Sequence, residues 1–94
     1  MKTIKTYLAF ENGIILETEK YEQEVSAHAT AVESVKFFLR YFIAANKLSG
    51  KIQMESRENG LYIRCDVKPK KYGELLIAEL NGRFDIKESI LLSP

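Results

Sequence analysis

Apolar and polar residues alternate in the first part of the chain and again in its third quarter, and a helical repeat lies between. Over 3–10, Ile4, Thr6, Leu8 and Phe10 share one face, while Lys5, Tyr7 and Ala9 share the other. A second run over 14–21 sets Ile14, Leu16 and Thr18 against Ile15, Glu17 and Glu19. Period two is the signature of a half-buried strand. Ile52, Met54 and Ser56 repeat the pattern, as do Leu61, Ile63, Cys65 and Val67.

Glu11-Asn12-Gly13 and Glu58-Asn59-Gly60 punctuate the two pairs of runs, and Asn-Gly between alternating runs is a hairpin signal. A three-residue loop with Gly13 left-handed pairs Phe10 with Ile14 and joins the apolar faces of the first hairpin. In the second, a two-residue Asn59-Gly60 turn pairs Glu58 with Leu61, Ser56 with Ile63 and Met54 with Cys65. Outside Glu-Asn-Gly and the apolar residues after it, the two halves share little.

Between the hairpins, His28, Val32, Val35, Leu39, Phe42 and Ile43 recur at helical spacing, widened by Ala31, Phe38 and Ala45. This predicts a long helix over 26–48, with Ser26 as N-cap and Gly50 ending it. Its polar side holds Thr30, Glu33, Arg40 and Lys47, together with Phe37. A short helix is expected over 72–81, stopped by Asn81-Gly82. Residues 83–87 alternate like a strand, whereas Ser89-Ile90-Leu91-Leu92 suits either a helical turn or an extended arm.

The expected fold is therefore α+β in the order ββα-ββα. It has a four-stranded, mostly antiparallel sheet with the long and the short helix packed on one face. One domain over 1–94 comprises a hairpin over 3–21, the long helix over 26–48, a hairpin over 51–67, the short helix over 72–81 and a C-terminal arm over 83–94. Strand order stays open, since either pair of strands can be central.

Composition narrows the function classes. With 94 residues, 46% hydrophobic and 29% charged, the chain has the makings of one modest core. Fourteen basic and thirteen acidic residues leave a net charge of +1, less than a dedicated nucleic-acid binder carries. The single cysteine, Cys65, has no internal partner, and Met1-Lys2-Thr3-Ile4-Lys5 is followed by no long apolar stretch. Glu33, Lys36 and Arg40 interrupt the most apolar segment. A cytoplasmic protein without membrane contact is expected.

No residues assemble into a catalytic set. His28 falls on the buried stripe without a directed carboxylate, Glu24 and Glu33 being nearest in sequence, and Cys65 falls on a core face. Glu17, Glu19, Glu55 and Asp66 share the outer sheet face with Arg57 and Arg64, which suits a cross-strand charge lattice. No spacing matches a zinc site or a phosphate loop, so neither metal nor cofactor is expected.

Two surfaces remain. Phe37, Tyr41, Tyr7, Tyr62, Ile90, Leu91 and Leu92 are interface-type residues without an assigned place in the core. They point to a non-enzymatic protein-interaction module (a regulator, adaptor or inhibitor) that binds a protein partner or forms a homodimer. Alternatively, Lys47, Lys51, Lys68, Lys70 and Lys71 converge at one end of the sheet, near the first hairpin's tip and the second helix's start. That cluster suits an anion or nucleic-acid backbone. Tyr7, Tyr62, Arg57 and Arg64 would also stack single-stranded bases, against the repulsion of the acids beside them.

Overall fold

In the computed structural model, residues 4–22 and 29–92 are described. The elements run β1 (Ile4–Glu11), β2 (Ile14–Glu22), α1 (Ala29–Asn46), β3 (Ser49–Arg57), β4 (Gly60–Lys68), α2 (Lys71–Arg83) and β5 (Ile86–Leu91). The fold is α+β, but its sheet has five strands in the order β2-β1-β3-β4-β5, not four. Pairs β2/β1, β1/β3 and β3/β4 are antiparallel, and β4/β5 is parallel. The fifth strand lies within the expected C-terminal arm, which docks on the chain's own sheet beside β4. A parallel neighbour needs a crossover, and α2 supplies it between β4 and β5.

Both helices pack on one face of the sheet. Ile4, Leu8 and Phe10 of β1, Ile52 and Met54 of β3, and Leu61, Ile63, Cys65 and Val67 of β4 form a single core with Val32, Val35, Leu39, Phe42 and Ile43 of α1 and Leu76 and Leu80 of α2. No helix among the described residues is long and apolar enough to cross a membrane.

Each hairpin departs from its expected register. In the first, Asn12 (φ 50°) and Gly13 (φ 84°) form a two-residue turn and Glu11 faces Ile14. Both residues are left-handed, as a type I′ hairpin turn requires. A bulge then sets Phe10 opposite Ile15 and Ala9 opposite Glu17. The extra residue restores the core alignment that the short turn would have lost. Ile15 therefore joins the core, while Ile14 (65%) and Leu16 (62%) are exposed. The Gly13 N–H donates to the Leu48 carbonyl (3.0 Å) and the Asn12 N–H to Ser49 Oγ (3.0 Å), which fastens the tip to the α1–β3 junction. In the second hairpin Glu58 and Asn59 make the turn, Arg57 faces Gly60 and Ser56 faces Leu61. That lies two residues from the expected register and keeps the same faces together.

Residues Ser26 and His28 of the expected long helix lie outside the described residues. At its C-terminus α1 stops at Lys47 (φ 51°), ahead of Gly50. The Leu48 N–H donates to Ile43 O (3.1 Å) and the Lys47 N–H to Ala44 O (3.4 Å), the paired bonds of a Schellman cap. Asn81 and Gly82 do not stop α2 but lie in its last turn. Phe84 ends it in extended conformation, its N–H still bonded to Leu80 O (2.9 Å). The chain then returns along β4, the Leu61 N–H donating to Asp85 O (3.0 Å) and the Leu92 N–H to Cys65 O (2.8 Å).

Candidate functional site

The helices leave the other face of the sheet uncovered. Tyr7 and Ala9 of β1, Glu17 and Glu19 of β2, Lys51 and Gln53 of β3, and Arg64 of β4 line a hollow of about 290 Å³ there, with Leu92 beyond β5. A second hollow of about 170 Å³ shares Gln53 and Arg64 and adds Glu55, Arg57, Tyr62, Glu88 and Ile90. A third, of about 360 Å³, shares Ala9 and Lys51 and opens toward Glu11, Leu16, Asp66 and Lys68. The three form one shallow trough across the sheet.

Local chemistry fixes the aromatic end of that trough. Arg57 Nε donates to Glu55 Oε1 (2.9 Å), and its guanidinium lies 4.0 Å from the Tyr62 ring centroid. The hydrogen bond to Glu55 holds the Arg57 guanidinium above its ordinary pKa. Asn59 Nδ2 donates to the Tyr62 hydroxyl (2.7 Å). A base stacking on this face of Tyr62 would have to displace Arg57.

The structure divides the expected interface residues. Tyr7, Tyr62, Ile90 and Leu92 border the sheet trough. Leu91 does not belong with them. It pairs with Cys65, packs against the core, and its Cδ2 stands 2.8 Å from where a β-carbon on Gly73 would lie. Alternation along β5 puts Leu91 on the opposite side of the strand from Ile90. Phe37 and Tyr41 lie on the far side of the molecule, on the solvent side of α1, 75% and 68% exposed.

Sequence reasoning passed over the residues around that aromatic pair. Ser34, Phe37, Tyr41, Ala44 and Ala45 are all exposed and uncharged. At 100° per residue Phe37 and Tyr41 lie opposite the buried stripe of α1, with Glu33 and Arg40 to one side and Ser34 and Ala45 to the other, and Lys47 past the helix end. On the Glu33 side, Glu33 Oε1 accepts from Lys20 Nζ of β2 (3.4 Å) and lies 3.9 Å from Lys36 Nζ. Toward α2, Phe38 meets Phe84 edge-on (6.3 Å between centroids) beneath the Arg83 guanidinium (4.8 Å). The helical spacing of the charges was the available signal.

All five lysines of the expected cluster are exposed. Lys51 and Lys68 share the third hollow with Glu11 and Asp66, Lys51 facing Asp66 across β3 and β4. Lys47 occupies the left-handed cap of α1. Lys70 precedes α2, which has no side-chain cap, and Lys71 Nζ lies 5.3 Å from the Tyr72 ring.

Of the residues considered for catalysis, His28 and Glu24 lie outside the described residues. Cys65 is fully buried, and burial, then the Asp66 charge, push its thiol up to about 11. A thiol held that high stays protonated near neutral pH and is a poor nucleophile. Among the described residues no three His, Cys, Asp or Glu gather as a metal site. Comparison with protein-family models, characterised proteins and solved structures finds no match.

Proposed function

We propose that this protein is a non-enzymatic interaction module that self-associates and acts as a regulator, adaptor or inhibitor, in the cytoplasm. The carrying observation is that large apolar side chains stay outside a core that is already built: Phe37, Tyr41, Ile14, Leu16, Ile90 and Leu92 are exposed while Leu39, Ile43, Ile52 and Ile63 are wholly buried. Phe37 and Tyr41 stand one turn apart on α1, and adjacent apolar groups on a surface support a reading of association. Light scattering coupled to size-exclusion chromatography, at low and moderate salt, tests the reading. A salt-insensitive species near twice 10.8 kDa is expected. A monomer at every concentration would overturn it. Removing residues 89–94 is not a clean perturbation, because it takes Leu91 from the core.

The second reading is an anion or nucleic-acid binder. It is favoured by Lys51 and Lys68 on one hollow with Lys70 and Lys71 beside the uncapped start of α2. Glu11 and Asp66 lower the positive potential there. The reading predicts nucleic acid that co-purifies and is released by salt, because phosphate contacts release counterions. A Lys68/Lys70/Lys71 triple alanine variant that binds as well as the parent would rule it out.

A further inference from the structure

We propose that the uncovered face of the sheet binds a free amino acid with an acidic side chain, its ammonium at Glu17, one carboxylate at Lys51 and the other at Arg64, above the floor that Ala9 leaves. The inference goes beyond the self-association reading and does not depend on it, because α1 lies across the sheet from this face.

Strand order places the charges. Ala9 of β1 faces Glu17 of β2 on one side and Lys51 of β3 on the other. Tyr7, two residues back along β1, belongs to the next row, which runs through Gln53 to Arg64 of β4. All of these residues line the same hollow of about 290 Å³. Neighbouring strands are about 4.8 Å apart, so an acid and a base stand about 10 Å apart with only a methyl group between them. Lys51 and Arg64 lie diagonally on adjacent strands, about 8 Å apart. The small side chain of Ala9 keeps the floor low, and Tyr7 walls one side.

The charges on this floor are unpaired. Among the described residues Glu17, Lys51 and Arg64 make no ion pair, whereas Arg57 is held by Glu55 and Glu19 has a contact of its own. Asp66, opposite Lys51 on β4, lines the next hollow and makes no ion pair with it. One free acid and two free bases are complemented by one cation and two anions, the charges of an acidic amino acid at neutral pH. A charge-assisted hydrogen bond is about 2.8 Å long, and two of them taken from about 10 Å leave about 4 Å. That is close to the reach from ammonium to carboxylate within a single amino acid. The second carboxylate meets the planar fork of Arg64. A phosphate or a plain dicarboxylate offers no cation to Glu17. The hollow is shallow and its charges are screened by water, so a Kd of about 0.1–1 mM is expected.

Titration of the isotope-labelled full chain with L-glutamate, followed by the amide NMR spectrum, tests the site. Saturable shifts at Ala9, Lys51 and Gln53 are expected. Glutarate, which lacks the ammonium, and L-alanine, which lacks the second carboxylate, should each bind about fivefold more weakly, the loss of one screened charge contact. Glu17→Gln should erase the preference for glutamate over glutarate, and Arg64→Gln the preference over alanine. Ala9→Leu keeps every charge and fills the floor, so it should abolish binding while the rest of the spectrum stays that of the parent. Shifts that remain linear up to about 20 mM glutamate, well above the expected Kd, would overturn the proposal, as would a Glu17→Gln variant that still prefers glutamate. Binding lost in the Lys68/Lys70/Lys71 triple alanine variant but kept in Ala9→Leu would overturn it in favour of the lysine end. Light scattering on the same samples judges the self-association reading separately.

Discussion

Three glycine-to-alanine substitutions test the sheet, the α2–β5 contact and the end of α2, each with its own sign. Gly50 lies in β3 between Phe10 of β1 and Val67 of β4, at φ 139°. A β-carbon there would overlap the carbonyl oxygen of Asp66 and lie 2.9 Å from its carbon and 3.2 Å from Val67 Cα. These are backbone atoms, so β4 itself would have to move. The unfavourable φ costs about 1–3 kcal/mol. Separating a ladder hydrogen bond in the sheet centre adds about 1–3 kcal/mol. Gly50→Ala should therefore destabilise by about 4 kcal/mol, against a total of roughly 5–14 kcal/mol for a chain this size. Gly82 in α2 meets nothing within 4 Å, and Gly82→Ala should stabilise by about 0.5–1 kcal/mol through helix propensity. Gly73→Ala lies between: its β-carbon meets the flexible end of Leu91 at 2.8 Å. The propensity gain and the displaced side chain should leave it within about 1 kcal/mol of the parent. Urea unfolding followed by circular dichroism measures all three, with the m-value checking that the same surface is exposed. A loss below about 1 kcal/mol for Gly50→Ala at unchanged m would refute the β3–β4 register, since no backbone overlap of that kind is so mild.

Thr6 Oγ1 and Ser56 Oγ are fully buried and have no hydrogen-bond partner among the described residues. An unpaired buried hydroxyl is penalised by about 1–3 kcal/mol, so Thr6→Val, which keeps the shape, should stabilise by about 1 kcal/mol and Ser56→Ala should be neutral or stabilising. Thermal melts decide it: a fall in Tm for both variants, with a non-additive double variant, would show that the hydroxyls share a bond. The Cys65 thiol, raised to about 11 from an ordinary 9, sets a pH window. Below pH 9 both states keep the proton and the thiol gives no pH dependence. Between pH 9 and 11 the unfolded chain ionises first, so stability should fall by up to about 3 kcal/mol. Cys65→Ala should flatten that part of the profile in alkaline urea titrations, and an equally steep fall would contradict the assignment.

Much of the fold was legible because its signals are local. Ile4, Leu8 and Phe10, or Leu61, Ile63 and Cys65, declare a buried face by alternation alone, and Val32 to Ile43 declare a helix by spacing. The first turn was misread because a bulge at Leu16 lets a two-residue turn and an aligned core coexist, and alternation cannot signal an inserted residue. β5 was missed for a related reason. Its register slips by one between Ile86 and Glu88, so Ile86, Ile90 and Leu91 follow no simple period. Its partner strand lies beyond a whole helix, and pairing at that distance leaves no local trace. The interface residues followed suit. The exposure of Phe37 could be read from the helical repeat, whereas the inward side of Leu91 depends on the register of a strand that the pattern did not reveal.

The distribution of charge over the two outer surfaces bears on function more than any single residue. Two helices suffice to cover one face of a five-stranded sheet, and among the described residues nothing packs over the other. The uncovered face must be wet, and it carries what a wet sheet should: Glu55 paired with Arg57, Lys51 opposite Asp66, and Arg64 and Glu88 around a few apolar groups. A helix on a two-layer domain should likewise be most polar along the line farthest from the core. On α1 that line carries Phe37 and Tyr41, both exposed, with Glu33 and Ser34 beside them. Folding the monomer does not require this, because the core is already filled by Val35, Leu39 and Ile43 on the other side of the same helix. An exposed aromatic pair is costly for solubility, and under the self-association proposed above its covering by a partner surface would offset that cost.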